Sequence, residues 1–178
     1  LKVSSCAMVD TLEAASERLN WDEQKGHLEK NEGIGFAGSG FVSGTGYAVL
    51  TTPKNCSNFS ICRLDRRGMA TVYSGANDIG QGLDTVMQVC AAEELGLEQK
   101  EVKICVADTN LSPFDTGTLG SRGTFLAGNG ARRAAADAKK QLIETVSKRL
   151  NVPEEELVCR HKRVYKKDNP EVGMSWHD

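Results

Sequence analysis

Residues 74–85 read SGANDIGQGLDT, with Gly75, Gly80 and Gly82, the amides Asn77 and Gln81, and the acids Asp78 and Asp84 packed ahead of a helical pattern. From Gly82 to Leu95, the residues Leu83, Val86, Met87, Cys90, Ala91 and Leu95 recur at helical spacing, and Gly96 suits the position just past the end. An ordinary strand-to-helix connection needs only a turn and a cap. Glycines at 80 and 82 let a bulky group approach the backbone, and the first N–H groups of a helix attract an anion. Gln81 adds a donor and an acceptor, which suits a heterocycle edge or an oxo ligand better than phosphate alone. Against this stands a plainer reading, in which Asp78 or Asn77 caps the helix and the glycines make a tight turn. The spacing fits neither the dinucleotide fingerprint nor the P-loop.

Upstream, Phe59–Leu64 and Ala70–Ser74 flank Asp-Arg-Arg-Gly, a β-hairpin with Gly68 where φ must be positive. Downstream, Val102–Ala107 reads as a short buried strand. It leads into a second loop, DTNLSPFDTGTLGSRGT (residues 108–124), and a long helix from about Phe125 to Leu150 with the stripe Ala134, Ala135, Ala138, Leu142, Val146 and Leu150. In this loop Arg122 can grip phosphate bidentately while Ser121 and Thr124 add donors. The alternative leaves Arg122 solvated or paired to Asp115. Two glycine-and-hydroxyl loops before two helices suggest one large anionic ligand held from two sides.

At the N-terminal end, Met8, Leu12, Ala15 and Leu19 mark a helix that Asp10 could cap, followed by a polar connection from which Trp21 folds back onto the helix. Gly33–Thr51, with six glycines, reads as one or two strands interrupted by close backbone approaches. At the other end, Pro153 stops the long helix, residues 158–166 (VCRHKRVYK) read as a strand, and Ser175 reads as the cap of a helix continuing past Asp178. The division expected is residues 1–32, a helix and connection, and residues 33–178, the main domain. The hairpin argues for a mixed sheet with packed helices, hence α+β.

The 178 residues, 39% hydrophobic and 26% charged, suffice for a real core. With 22 basic and 24 acidic residues the formal charge is −2, so no general attraction to nucleic acid or anionic membrane is expected. No apolar run approaches a membrane span and no secretory layout opens the chain, so a cytoplasmic location is expected. Six cysteines and three histidines show no metal-ligand spacing, and Cys90 and Cys105 read as small buried hydrophobes.

Three stretches, GIGFAGSGFVSGTG (33–46), GANDIGQGLDTVMQVCAAEELGL (75–97) and VKICVADTNLSPFDTGTLGSRGTFLAGNGARRAA (102–135), together resemble the C-terminal molybdopterin-binding region of molybdenum hydroxylase large subunits. That is the family of xanthine dehydrogenase, aldehyde oxidase, carbon monoxide dehydrogenase and hydroxybenzoyl-CoA reductase. The resemblance runs from about Gly33 to Leu150 and, more weakly, up to the helix near Leu12. It implies that Ile79, Gly80 and Gln81 lie against the pterin and the molybdenum ligand sphere, with Gly82 and Thr85 completing the first loop. Gly120, Ser121, Arg122, Gly123 and Thr124 would then contact the pterin dinucleotide, in its cytosine form as in bacterial members. It also implies a metal held by the cofactor's dithiolene rather than by side chains, and partners in the rest of the large subunit and in subunits carrying iron-sulfur clusters and FAD. The family's Gly-Phe-Gly loop, Phe-Arg-Gly segment and catalytic glutamate have no counterpart here, so no catalytic residue is expected in this chain and the chain alone should be inactive. The leading segment looks closest to the hydroxybenzoyl-CoA reductase or carbon monoxide dehydrogenase branches. A stand-alone module binding a nucleotide or other anion is the alternative from the residues themselves. A third possibility is nonspecific pairing through exposed strand edges.

Overall fold

The computed structural model describes residues 5–41, 43–44 and 58–178. The chain forms two compact units, residues 1–41 and 42–178.

In the first unit, α1 (Met8–Arg18) and the short α2 (Trp21–Gln24) join at Asn20, which is left-handed at φ 43°. Asp10 is not the cap: α1 opens at Ala7, and Asp10 sits inside the first turn while Thr11 Oγ1 donates to Ala7 O at 2.7 Å. Trp21 packs edge-on against Phe36, centroids 5.0 Å apart, with the Lys25 ammonium over its ring. Residues 33–41 form no strand, contrary to the expectation for Gly33–Thr51. Four glycines there weaken any ladder by adding chain entropy and removing side chains to pack. One of them makes the anticipated close approach: a Cβ on Gly38 would lie 2.8 Å from Met8 Sδ. Residues 42 and 45–51 lie outside the described residues.

In the second unit, β1 (Ser60–Leu64) and β2 (Ala70–Ser74) form the antiparallel hairpin, Leu64 opposite Ala70. The turn closes because the Asp65 carboxylate accepts from the N–H groups of Arg67 and Met69, and Gly68 takes φ 75°. Alternation along β2 buries Ala70, Val72 and Ser74. The chain then crosses through α3 (Leu83–Leu95) to β3 (Val102–Cys105), which pairs parallel to β2 and completes the mixed sheet β1-β2-β3. Only Val102 of β3 is fully buried.

Leu83, Met87, Ala91 and Leu95, one every fourth residue, bury the inner face of α3, and Gly96 ends it at φ 68°. The long α4 (Gly123–Leu150) packs on it. Its buried row is Ala127, Ala131 and Ala135, with Gly128 facing Val86 and Cys90, so the tightest packing lies nearer the N-terminus than the Ala134–Leu150 stripe predicts. Small side chains let the two helix axes approach. Cys90 and Cys105 are half-buried rather than buried; among the described residues the fully buried thiol is Cys159, 1% exposed.

After α4, residues 158–166 form a hairpin rather than one strand: β4 (Leu157–Arg160) and β5 (Arg163–Lys166) reverse at His161 and Lys162, both left-handed at φ 50° and 58°. This is the primed turn geometry that matches strand twist, but without the Asn-Gly that normally announces it. β6 (Asn169–Ser175) adds a third antiparallel strand, so Ser175 closes a strand, its Oγ accepting from the His177 N–H. No helix of the described residues is long and apolar enough to cross a membrane.

Candidate functional site

The first loop leaves β2 at Ser74, whose hydroxyl, fully buried, accepts from the Ala76 N–H at 3.3 Å. From there the chain turns on Asp78. Its carboxylate accepts from the N–H groups of Gly80 (2.8 Å), Gly82 (3.3 Å) and Asp84 (3.2 Å). The start of α3 is therefore capped from within, and the expectation of unpaired N–H groups awaiting an anion does not hold there, because a carboxylate of the same loop already accepts from them. Those hydrogen bonds, that from Gly80 foremost, lower the pKa of Asp78. Asp84 shifts the other way, raised by burial and then by the neighbouring Asp78 charge.

Held in this way, Gly80 (φ 105°) and Gly82 (φ 77°) point into open space, and a Cβ on either would meet nothing within 4 Å. Gln81 folds over its own loop, Oε1 accepting from the Ile79 N–H at 2.7 Å. The Ile79 side chain is 73% exposed, an unusual position for so apolar a group, and Thr85 is exposed on the first turn of α3.

The second loop is organised by a buried ion pair. Asp115 and Arg122 have side chains only 2% and 3% exposed and meet at 2.9 Å. Arg122 also donates through Nε and Nη2 to Gly117 O, at 3.0 and 2.7 Å. Its fork is engaged inside the protein, so the bidentate grip on phosphate is not offered in this arrangement, and the pairing with Asp115 is the reading that holds. Gly120 (φ 62°) and Ser121 (φ 54°) follow in the left-handed region, and α4 starts at Gly123 without a side-chain cap. Ser121 and Thr124 are exposed.

Residues 41 apart in sequence join the two loops: Thr118 Oγ1 accepts from the Asn77 N–H at 3.0 Å and donates to Asn77 O at 2.7 Å. A Cβ on Gly123 would lie 3.3 Å from Leu83 and 3.8 Å from Gln81 Nε2. Gln81 and Gly123 thus share one face, with α3 and α4 starting side by side. At the C-terminal ends of the parallel β2 and β3 opens a crevice of about 550 Å³ lined by Gly75, Asn77, Asp108, Ser112 and Phe114 among others, with none of the predicted site residues in its lining. Such crevices are where open sheets hold ligands. Sequence reading missed Asn58 and Thr118 as organising residues, and offered Asn77 only as a helix cap, whereas its backbone N–H and C=O bind Thr118. Asn58 Nδ2 donates to Asp115 Oδ2 at 2.8 Å, a link across 57 residues that no local pattern announces.

The family model of the molybdopterin cofactor-binding domain matches residues 9–178. The chain is 30% identical over 155 residues to a probable hypoxanthine oxidase of Escherichia coli K12, covering 84% of this chain and 15% of that protein. It is 33% identical over 116 residues to subunit gamma of the 6-hydroxypseudooxynicotine dehydrogenase complex of Paenarthrobacter nicotinovorans, covering 64% of this chain and 15% of the relative. The crystal structure of quinoline 2-oxidoreductase from Pseudomonas putida 86 superimposes with a TM-score of 0.64 at 26% identity, over 77% of this chain and 17% of that one. The chain thus spans less than a fifth of the length of each.

Proposed function

We infer the function from one premise: this chain belongs to the molybdopterin cofactor-binding domain family of xanthine dehydrogenase and carbon monoxide dehydrogenase type enzymes. The two joined loops form part of the cradle for the molybdenum cofactor of a larger oxidoreductase. The observation that carries this reading is the meeting of Gln81 and Gly123, from loops far apart in sequence, on one face. The residues fit the group: the backbone at Gly80 and Gly82 is open to a bulky, planar ligand. In this reading Ile79, Gly80, Gln81, Gly82 and Thr85 flank the pterin, and Gly120, Ser121, Gly123 and Thr124 face its nucleotide. Arg122 belongs to the cradle through the shape it gives the second loop. When bound, the cofactor supplies the molybdenum centre for two-electron oxidation, with water as the oxygen source. This chain's own part is to bind and orient.

The nucleotide form is cytosine dinucleotide, and partner subunits with iron-sulfur clusters and FAD carry the electrons away. The relatives named for hypoxanthine and quinoline favour an N-heterocycle as substrate of the whole enzyme, over an aldehyde or an aromatic acyl-CoA. The catalytic base comes from outside this chain, and the complete protein works in the cytoplasm.

The test is the molybdenum and pterin content of the full-length protein carrying this chain, made in a host that synthesises the cofactor. Near-stoichiometric molybdenum with a cytosine nucleotide released on hydrolysis is expected. Gln81→Ala lowers that content with little loss of stability, since its side chain is exposed. Absence of both metal and pterin from the wild type would sink the reading in favour of a stand-alone anion-binding module.

A further inference from the structure

The geometry points to Asp115 and Arg122 as positioning residues that clamp the second loop into its cofactor-facing shape, with Arg122 not itself a phosphate ligand; this rests on the cradle reading above. Asp115 Oδ1 accepts from the Gly117 N–H (2.7 Å) and from Arg122 Nη2 (2.9 Å), while Oδ2 accepts from Asn58 Nδ2 (2.8 Å). Arg122 returns two hydrogen bonds to Gly117 O. Both the N–H and the C=O of Gly117 are thus held by the pair, at φ 105°, a backbone setting that side-chain-bearing residues rarely adopt.

One residue on, Thr118 is tied to Asn77 in the first loop. The clamp therefore reaches from the entrance of β1, through the second loop, to the backbone beside Gln81. The charge of the guanidinium is met at 2.9 Å by a carboxylate that is itself buried, so the pair offers an outside anion almost no net field. The remaining nitrogen, Nη1, is covered by protein and has no hydrogen-bond partner among the described residues, so phosphate could reach it only if the loop opened. A donor poised for phosphate shows its fork to the ligand; here the fork grips the protein.

The experiment compares Asp115→Asn, Arg122→Ala, the double variant, and the apolar pair Asp115→Leu/Arg122→Met in the full-length protein. Cofactor content is read by molybdenum and pterin analysis, and loop order by amide hydrogen exchange over residues 117–123. A clamp predicts that both single variants lose cofactor to the same degree and that the double loses no more, because one unit is removed each time. The apolar pair keeps the fold, since buried ion pairs tolerate hydrophobic replacement, yet it loses cofactor and exchanges faster at 117–123. Full cofactor in the apolar pair would overturn the inference. So would a much larger loss in Arg122→Ala than in Asp115→Asn, which would return Arg122 to the phosphate. Should the wild type carry no molybdopterin, the cradle reading falls by itself; the exchange rates then still decide whether the pair orders the loop.

Discussion

The first loop holds its shape with a half-buried carboxylate, the second with a fully buried ion pair. Asp78, half-buried, gathers three backbone N–H groups within six residues, so the turn is built by its own sequence. Asp115 gathers Asn58, Gly117 and Arg122 from positions up to 57 residues away, so its turn exists only once the sheet and α4 are in place. A local carboxylate in water contributes modestly and is easily replaced. A desolvated pair contributes little net stability while intact, but removing one partner strands a charge in the interior.

The largest expected effect therefore falls on the second loop. Arg122→Ala should cost about 3–5 kcal/mol of unfolding free energy by leaving Asp115 uncompensated, read as a shift of the urea midpoint at constant slope. A wild-type midpoint would erase the contrast between the loops. Next comes the seam. A Cβ on Gly75 would sit 2.3 Å from Pro113 O and 2.8 Å from the Asp115 Cβ, so Gly75→Ala should cost about 1–3 kcal/mol through forced backbone shifts. In the first loop Gly80→Ala meets open space, and its cost is conformational only, about 1–2 kcal/mol for a side chain at positive φ. Equal costs at positions 75 and 80 would show that the seam can yield.

Asp78→Asn should have the smallest effect at neutral pH and a distinct pH signature. The folded pKa of Asp78 lies below its ordinary value, so its stabilisation is present above the unfolded pKa and fades as pH falls through the folded one, below about pH 4. Asp84, raised by burial, pulls the other way, because its protonation relieves an unfavourable buried charge. In acid titrations of stability, wild type should lose its advantage over Asp78→Asn below that point. An advantage unchanged at pH 2 would mean that the carboxylate charge contributes nothing to the turn.

What could be read from the sequence follows the same division. The hairpin around Gly68, helix α3 with its closing Gly96, and the long α4 were all legible, because each is fixed by residues within a turn or two of one another. The open glycines of the first loop were legible too, since φ of 105° and 77° at residues 80 and 82 is a local demand. The reversal at His161–Lys162 was not. Those residues carry no turn chemistry, and the antiparallel pairing of β4 with β5 imposes the left-handed backbone on them. Nor was the absence of a strand over residues 33–41, where β-branched and aromatic residues promised pairing that the glycines undercut.

By itself, then, the sequence determined the α+β class, the helices and the two loops that mark the family, through periodicity and turn residues acting over short distances. Tertiary structure alone decided that Thr118 would bind Asn77, and that Arg122, which the sequence left open between solvent, phosphate and Asp115, would turn inward to Asp115. Those choices depend on which groups lose their water when sheet and helices pack. Burial of that kind is a property of the assembled fold, not of any segment.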